Sequence, residues 1–418
     1  MTNRTAYVIG AGLAGLSAAV ALAEKGMRVE VSESAGQAGG RCRSYFDASL
    51  GMTIDNGNHL VLSGNGSTMH YLRSIGARNA LVGPDNADAS FADLRTGKRW
   101  TIKPSDGPIP YWLLDPSKRV PDTHTLDYLG LGKLLIANGN KTVGDVLTCK
   151  GPLWERLLEP FFLAALNTKP ETGSAALAAQ LVRETFAKGG HAFRPRIAHP
   201  TLAAAFIEPA LKHLSGMGVR VTLGDRLKVI VRESNHAIAL EIADRTQPLS
   251  PDDIVVLATP PWVTGELLPE VTVPDAFSAI VNAHFKIEPK ADTPGMLGLI
   301  GGTAEWVFAF PDRISVTVSG ADRLVDMGRE ELAQILWADV AKVHGLPDAL
   351  PPWQIVKEKR ATFAATPEQA HKRPKAQTRW KNVFLAGDWT DTGLPATIEG
   401  AIRSGHKAAE LAFAKRAV

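Results

Sequence analysis

The sequence contains very little cysteine: Cys42 and Cys149 are the only two in 418 residues. Two isolated thiols provide no disulfide framework, so they argue against a disulfide-stapled secreted scaffold and suit the reducing cytoplasm. The chain also lacks C-x-x-C and H-E-x-x-H motifs, and its eleven histidines do not cluster at ligand spacing. We therefore expect a cytoplasmic protein that binds no metal.

The chain also has little excess charge. Its formal net charge of +3 is too small to indicate nucleic acid as a partner. A basic stretch at residues 371–381 offers contact with an anionic membrane surface, and a solvated loop is the alternative. Neither internal repeats nor a low-complexity tail are present. The length of 418 residues is enough for two or three domains around a large core.

The segment around which the chain is organised is Thr5–Glu33, TAYVIGAGLAGLSAAVALAEKGMRVEVSE. It begins with an apolar run, Ala6–Ile9, that is typical of a buried parallel strand. An alanine- and leucine-rich stretch, Leu13–Glu24, has the composition of a helix. A second strand is predicted at Arg28–Val31. The order strand, helix, strand predicts the first half of a nucleotide-binding unit.

Glycines at G-x-G-x-x-G spacing connect the first strand to the helix. Gly10 allows the tight turn, Gly12 lets the backbone approach a pyrophosphate, and Gly15 lets the helix pack on the strand. Ala14 lies in the first helical turn, where free N–H groups and the helix dipole favour phosphate. Glu33 follows about 20 residues on, where a carboxylate accepts hydrogen bonds from ribose hydroxyls. Together these residues predict a dinucleotide site.

The absence of charge from Thr5–Ala23 leaves a second interpretation, a membrane span or a signal peptide. Three glycines at phosphate-loop spacing argue against a span. No small-residue cleavage site precedes a mature domain. The dinucleotide site is the interpretation that explains every part of the segment.

Two further groups of motif residues point to the kind of dinucleotide. Gly39-Gly40-Arg41 follows the second strand, and near the other end of the chain a strand ends in Gly387-Asp388 before a helix that starts at Thr397 and Ile398. This combination resembles the flavoprotein superfamily that includes amine oxidases, protoporphyrinogen oxidase and carotenoid desaturases. The resemblance implies that the cofactor is FAD. It implies pyrophosphate contacts at the glycine pair and arginine, and flavin contacts at the four C-terminal residues.

A narrower resemblance comes from Asp55-Asn56-Gly57-Asn58-His59 and from the Ala-Ala-Leu-Asn-Thr string that contains Asn167. These strings are similar to those of the hydroxysqualene dehydroxylases, also described as squalene-associated FAD-dependent desaturases. The resemblance covers essentially the whole chain. It implies that residues 55–59 pass close to the flavin, with Gly57 and Asn58 in contact with the cofactor. It also implies adenine contact through the backbone of Leu227 and cofactor contact at Ala258.

The predicted fold class is α/β. A doubly wound, Rossmann-like FAD domain is split over residues 1–66, 201–260 and 379–418. Residues 67–200 and 261–378 form an α+β substrate domain with a mostly antiparallel sheet. Within it, strands are predicted at His284–Ile287 and Trp353–Lys357, and a loop approaching the flavin at Thr362–Pro367.

The resemblance implies an FAD-dependent oxidoreductase that reductively dehydroxylates hydroxysqualene to squalene in hopanoid or related triterpene synthesis. An apolar C30 isoprenoid is then the substrate. The electron donor is unknown, because no second G-x-G-x-x-G is present for a nicotinamide. A peripheral contact with the inner membrane would suit such a substrate.

Loss of an allylic hydroxyl needs a proton, and a histidine that titrates near neutral pH suits this task. We hypothesise that His59 donates the proton, that Asp55 or Asn56 orients it, and that Asn167 contacts substrate or flavin. The alternatives are that Asp55 and Asn56 only shape a turn, that His59 is a satisfied buried histidine, and that Asn167 lies in a helix that is simply core.

Three other functions fit the same fold. An oxidative carotenoid-type desaturase has the same cofactor and the opposite electron direction. An amine oxidase needs an aromatic cage around a cationic nitrogen, and Trp389 beside Asp388 keeps this alternative open. A flavin-free lipid-binding module would have lost the phosphate glycines or the C-terminal Gly-Asp, and this chain retains both.

Overall fold

The computed structural model describes residues 4–137 and 139–414. Its strands are, in chain order, β1 (Thr5–Ile9), β2 (Arg28–Glu33), β3 (Ser44–Asp47), β4 (Met52–Asp55), β5 (Leu60–Leu62), β6 (Leu81–Val82), β7 (Ala89–Asp93), β8 (Arg99–Ile102), β9 (Pro195–Ala198), β10 (Arg220–Leu223), β11 (Leu227–Glu233), β12 (His236–Ile242), β13 (Arg245–Pro248), β14 (Ile254–Leu257), β15 (Phe277–Phe285), β16 (Met296–Ile300), β17 (Trp306–Phe310), β18 (Arg313–Val318), β19 (Trp353–Phe363) and β20 (Val383–Leu385).

The α-helices are α1 (Leu13–Glu24), α2 (Gly66–Ser74), α3 (Gly130–Leu135), α4 (Val143–Val146), α5 (Glu159–Leu166), α6 (Ala175–Glu184), α7 (Glu208–Gly216), α8 (Pro261–Leu267), α9 (Arg329–His344), α10 (Pro367–His371) and α11 (Ile398–Ala414). Turns of π-helix, Trp154–Leu158 and Ala203–Ile207, lead directly into α5 and α7. In the described part of the chain, no helix combines the length and the apolar character that crossing a membrane requires.

A five-stranded parallel sheet has the order β10-β2-β1-β14-β20. Strands β1 and β14 lie in its middle and are buried along their whole length, which explains their continuous apolar sequences. Helices α1 and α11 pack together against this sheet. Their close approach depends on Gly405 of α11, because a Cβ atom there would lie 2.2 Å from the Ala14 carbonyl oxygen.

A second sheet of seven strands has the order β19-β15-β18-β17-β16-β7-β8. Its pairs are antiparallel except β16 with β7, so the predicted mostly antiparallel sheet is confirmed. One face packs on α9 through apolar side chains such as Val281, Ala283 and Val316. We call the opposite face the front face; near its middle it carries Asn282, His284, Ser315 and Thr317. Because side chains alternate along a strand, the face that packs on α9 is apolar, whereas the middle of the front face carries buried polar side chains.

The extents of two strands were predicted wrongly. Strand β15 covers Phe277–Phe285 rather than His284–Ile287, and β19 continues to Phe363, so the predicted loop begins later than Thr362. Asn282 and His284 of β15 are polar but buried, because each is hydrogen-bonded to a protein partner on the front face. The sequence of β15 therefore lacks the apolar alternation by which a buried strand is recognised. The strands of the parallel sheet come from residues 5–33, 220–257 and 383–385. The exact domain boundaries stay predictions.

Candidate cofactor and active site

The passage from β1 into α1 can be built only with glycine at two positions, Gly10 in the loop and Gly15 in the first turn of α1. Gly10 has a φ of +107°, and a Cβ atom there would lie 2.6 Å from the carbonyl oxygen of Ala258. A Cβ atom on Gly15 would lie 1.8 Å from the carbonyl oxygen of Gly10. Ala258 itself is held by its N–H, which donates to the Ile9 carbonyl at 2.8 Å. These contacts bring α1 tightly onto the sheet.

Gly12 is different, because a Cβ atom there would meet no atom within 4 Å. It is the N-cap of α1, and no side chain caps the N–H groups of the first turn, which includes Ala14 and carries no acidic residue. Uncapped N–H groups at a helix N-terminus are donors for an anion. The open space at Gly12 and these donors together fit a pyrophosphate.

The second glycine pair lies directly against this loop. The N–H of Gly39 donates to the Ala11 carbonyl at 2.8 Å, and Gly39 forms a parallel bridge with Gly12. A Cβ atom on Gly40 would be 3.5 Å from the Cα of Gly12. Both residues of the pair have positive φ, +109° and +55°, which glycine adopts without strain. The two glycine segments therefore form one cradle.

Arg41 joins the cradle to the far end of the chain. Its guanidinium donates to Asp388 Oδ1 at 2.7 Å and to the carbonyl oxygen of Ala361 at the end of β19. Asp388 is 5% exposed, whereas the side chain of Arg41 is 42% exposed. Gly387 is anchored in turn, because its N–H donates to Ser404 Oγ at 2.8 Å. Residues separated by nearly 350 positions thus meet in one cleft.

The last helix also begins at this cleft. Thr397 precedes Ile398, the first residue of α11, and its hydroxyl accepts a hydrogen bond from Gly400 N–H at 3.0 Å, as an N-cap does. Glu399 accepts hydrogen bonds from the N–H groups of Ser67 and Thr68 at 3.0 and 2.8 Å. The buried glutamate therefore holds the N-terminus of α2 against the start of α11.

Glu33 lies at the other end of the cradle. Its carboxylate accepts hydrogen bonds from the N–H groups of Ala11 and Ala35 at 2.7 and 2.8 Å. The backbone N–H of Asp225 donates to the Glu33 carbonyl, which places the start of β11, at Leu227, beside the same strand end. This is the arrangement expected around an adenosine.

Asp225 is a residue that the sequence did not single out. Its carboxylate accepts hydrogen bonds from Ser32 and from both terminal nitrogens of Arg245, at 2.5 and 2.7 Å. The hydrogen bonds from Arg245 hold the pKa of Asp225 below its usual value, because their effect is larger than the opposing effect of burial. The Asp225–Arg245 pair fixes β11 and β13 to the end of β2 where Glu33 lies. No local sequence motif indicates this pair.

Asp55 and Asn56 are both buried, but neither is hydrogen-bonded to His59. Asp55 Oδ1 accepts hydrogen bonds from Ser44 Oγ at 2.6 Å and from Leu202 N–H at 2.9 Å, so it caps the helical run 202–216. Burial raises the pKa of Asp55, while these two hydrogen bonds act in the opposite direction. Asn56 reaches towards Glu358, with Nδ2 to Oε2 at 3.4 Å. Both side chains therefore make contacts that shape the local backbone, and these contacts account for their burial.

His59 is partly buried, and its Nδ1 lies 3.1 Å from the carbonyl oxygen of Gly57. The ring therefore carries its hydrogen on Nδ1 in this contact, and Nε2 keeps a lone pair. Removal from water lowers the pKa of His59, although the Gly57 contact and the charge of Asp55 raise it in part. In this geometry Nε2 of neutral His59 is a hydrogen-bond acceptor. The ring is oriented by the Gly57 carbonyl rather than by Asp55 or Asn56.

Asn167 ends α5 in the left-handed region, with φ of +49°. Its Nδ2 donates to Thr362 Oγ1 at 3.0 Å and to the Ser278 carbonyl at 3.3 Å, and its Oδ1 accepts from Gly320 N–H at 2.7 Å. The side chain thus binds α5 to the seven-stranded sheet, next to the carbonyl that Arg41 contacts. Its catalytic role stays a prediction.

Asn58 has the one unexplained polar atom of this group. Its Nδ2 donates to Thr317 Oγ1 at 3.1 Å and to the Val316 carbonyl at 3.3 Å, whereas its Oδ1 is buried and accepts no hydrogen bond from any described residue. A buried carbonyl oxygen without a donor is costly, which indicates a bound partner. Together with the cradle at Gly12 and the Arg41–Asp388 pair, this atom makes the cleft a good fit for a flavin dinucleotide.

Comparison with known proteins agrees with the site. The chain belongs to the flavin containing amine oxidoreductase family, whose model matches residues 13–412. Its fold is shared by solved structures of a putrescine oxidase and of the cyclohexylamine oxidase from Brevibacterium oxydans, each with a TM-score of 0.71. These structures are 14% and 15% identical to the chain and cover 98–99% of it and 99–100% of their own length. The cofactor is FAD, and the protein is an FAD-dependent oxidoreductase.

Within this family, much closer similarity is found to three proteins named hydroxysqualene dehydroxylase. The one from Rhodopseudomonas palustris is 51% identical over 99% of both chains. Those from Zymomonas mobilis and Sinorhizobium fredii are 49% and 48% identical over 97% and 99% of this chain, and over 98% and 99% of their own. A 15-cis-phytoene desaturase from an Oncidium hybrid is far more distant, at 22% identity.

Proposed function

We propose that this chain converts hydroxysqualene to squalene by reductive dehydroxylation, with FAD as its cofactor. The observation that carries the proposal is the 48–51% identity to hydroxysqualene dehydroxylases over almost the whole chain. The flavin cleft described above lies within the matched length. The distance of the desaturase relative makes oxidative chemistry the weaker alternative.

The reaction needs a proton, a hydride and an apolar surrounding. The allylic C–O bond breaks once its oxygen is protonated, and water leaves. Bound reduced FAD would supply the hydride for the carbon cation. The sum is one alcohol and one two-electron-reduced flavin giving one hydrocarbon, one oxidised flavin and one water. The protein must hold the substrate, supply the proton and tolerate the positive charge.

The aromatic side chains of Phe91, Trp100 and Trp306 lie together on the front face, and we call this surface the aromatic wall. Phe91 stacks on Trp100 with ring centroids 5.7 Å apart, and Trp306 meets Phe91 edge-on at the same distance. Gly298 makes room for the Phe91 ring, because a Cβ atom there would lie 2.5 Å from it. Aromatic faces attract cations while remaining compatible with hydrocarbon. Such a wall suits a C30 chain that becomes briefly cationic.

The proposed function is tested by product analysis. Chemically reduced protein, mixed anaerobically with hydroxysqualene, is expected to yield squalene in step with the return of the oxidised flavin spectrum. The control is the same mixture with the flavin left oxidised, which should leave the alcohol unchanged. Reoxidation without squalene, or desaturation of a linear polyprenoid by the oxidised protein, would replace this proposal with the desaturase alternative.

We also propose a peripheral membrane contact at an exposed apolar patch formed by Ile109, Tyr111, Leu114, Leu126, Leu129 and Ile136, which are 56–86% exposed. Tyr111 and Leu114 share one side of a 3₁₀ turn, as do Leu126 and Leu129 of another. The two turns are tied together, because Thr125 Oγ1 donates to the Leu113 carbonyl at 2.8 Å.

The buried side of this patch leads towards the aromatic wall. Trp112 and Tyr128, which lie between the exposed residues in sequence, pack edge-on with centroids 5.6 Å apart. Both belong to the same buried apolar cluster as Phe91 and Trp100. A substrate as apolar as squalene resides in lipid, so a lipid-facing patch continuous with that cluster offers it an entry route.

Replacing Leu126 and Leu129 with serine is expected to weaken binding to phospholipid vesicles roughly tenfold or more, since each leucine loses apolar burial of about 1 kcal/mol or more. The measurement is co-sedimentation with vesicles, together with turnover of detergent-dispersed substrate, which should stay normal. The matched control replaces Val229 and Ile238, which are 42% and 40% exposed on β11 and β12. Equal weakening by both double variants would exclude the patch as the contact.

A further inference from the structure

The end of β18 is contacted by polar side chains from distant parts of the sequence. Asn58, next to His59, donates to Thr317 Oγ1 at 3.1 Å, and Thr317 Oγ1 donates to Asn282 Oδ1 at 2.8 Å. The backbone N–H of Asn58 also points at Asn282 Oδ1, at 3.3 Å. This network attaches the segment expected beside the flavin to the front face of the sheet.

Two residues further along, the same stretch of chain binds a carboxyl group. The N–H of Ser319 donates to Glu305 Oε2 at 2.8 Å, and the next N–H, that of Gly320, donates to Asn167 Oδ1. Two residues of strand span roughly 7 Å. The Glu305 carboxyl is therefore held on a backbone N–H two residues along the chain from the Asn58 network, and the next N–H binds Asn167.

Glu305 precedes Trp306, whose ring belongs to the aromatic wall of the front face. Its side chain is partly buried, and its Oε1 makes no hydrogen bond within the described residues, although its Oε2 is held. Two charged groups face it: Glu159 from the start of α5 and Arg323 from the turn after β18. Glu305 is thus an anchored carboxyl with one unengaged oxygen, held beside Asn167.

The surroundings also favour the protonated form of this carboxyl. Burial raises the pKa of Glu305 to about 7, with a smaller contribution from the charge of Glu159, while the Ser319 N–H and Arg323 act in the opposite direction. His59, by contrast, has a lowered pKa and a lone pair on Nε2. Of these two groups, the glutamate is the one whose acidic, proton-donating form is well populated near neutral pH.

We propose that Glu305 is the catalytic acid that protonates the hydroxyl group lost from the substrate. This inference rests on the proposed function. The O–H bond of the carboxyl breaks and a new O–H bond forms on the substrate hydroxyl. The allylic C–O bond then breaks with its electron pair on oxygen, so that water leaves. Bound reduced FAD would supply the hydride that the carbon requires, and the Glu305 carboxylate regains its proton from solvent.

The test compares Glu305→Gln with Glu305→Asp. We expect Glu305→Gln to lower kcat about 100-fold or more, because the amide has no proton to donate. Glu305→Asp should retain part of the activity. Flavin content, melting temperature and the spectral change of oxidised flavin on binding hydroxysqualene should match the unmodified protein in both variants. In the unmodified protein kcat should fall as the pH rises through about 7, and Glu305→Gln should remove this limb.

Two further variants separate the proposal from its alternatives. Glu159→Gln removes a charge that raises the pKa of Glu305, so the alkaline limb should move to lower pH. His59→Ala should keep the limb; a limb lost in His59→Ala and kept in Glu305→Gln would overturn the proposal in favour of the histidine. Infrared spectra should show a protonated carboxyl at pH 6 that Glu305→Gln lacks, and its presence in the variant would also overturn the proposal. Squalene formation by the unmodified protein decides the proposed function independently.

Discussion

Replacing Gly15 with alanine is expected to yield a destabilised protein that purifies with little or no flavin. The new Cβ atom would lie 1.8 Å from the Gly10 carbonyl oxygen, a rigid backbone atom, so α1 must move away from β1. Overpacking of this kind costs about 1–3 kcal/mol, and a clash with backbone belongs at the upper end or beyond. Thermal unfolding and the ratio of flavin to protein absorbance measure the two effects.

Gly12→Ala is the matched control, since it adds the same methyl group three residues earlier. No atom lies within 4 Å of that Cβ position, so the stability of the flavin-free protein should change by no more than about 1 kcal/mol. Flavin binding should nevertheless weaken, because the methyl group occupies space expected to face the pyrophosphate. If Gly12→Ala binds FAD normally, the pyrophosphate does not pass over this residue.

Replacing Asp388 with alanine is expected to weaken FAD binding about tenfold to about a hundredfold while leaving the protein folded. Asp388 is buried and positions the guanidinium of Arg41, and hydrogen bonds to charged groups contribute about 1.5–3 kcal/mol. The fold should survive because Arg41 is 42% exposed and water can solvate it once its partner is gone. Titration of flavin-free protein with FAD, followed by flavin fluorescence, gives the affinity.

Asp93→Ala provides the comparison for this loss. Asp93 is as buried as Asp388 and pairs with Arg95 at 3.0 Å, but it lies on β7 near the far edge of the seven-stranded sheet. Its removal should cost a similar ion pair without changing the affinity for FAD. Equal losses of affinity in both variants would mean that Asp388 acts through general stability rather than at the cofactor.

The sequence was most informative where a backbone requirement leaves one residue type. Gly10 and Gly15 are recognisable because no other side chain fits between a strand and a helix packed this closely. The Gly-Asp pair after β20 and the threonine before α11 could be found for a related reason, since a strand end and a helix start carry local signals. Such signals are contained within a few neighbouring residues.

The sequence was least informative for residues whose partners are distant. Asp55 follows a strand and precedes a histidine, so a catalytic pair was a natural hypothesis; yet its carboxylate caps a helix that begins at Leu202. Glu305 gave no signal at all, because its anchor at Ser319 and its neighbour Glu159 come from other elements. Strand β15 was cut short because its polar residues find partners across the front face, which no local pattern reveals.

The amino-acid sequence by itself therefore determined the dinucleotide cradle and the mostly antiparallel second sheet, since each depends on glycine geometry or on side-chain period within one segment. The resemblance of its motifs to a flavoprotein superfamily indicated FAD. Only the tertiary structure decided that Arg41 pairs with Asp388 across nearly 350 residues, that His59 presents an acceptor, and that a partly buried carboxyl is anchored beside Asn167. The physical reason is that hydrogen bonding, burial and charge act through space, and chain folding alone brings their partners within a few ångströms.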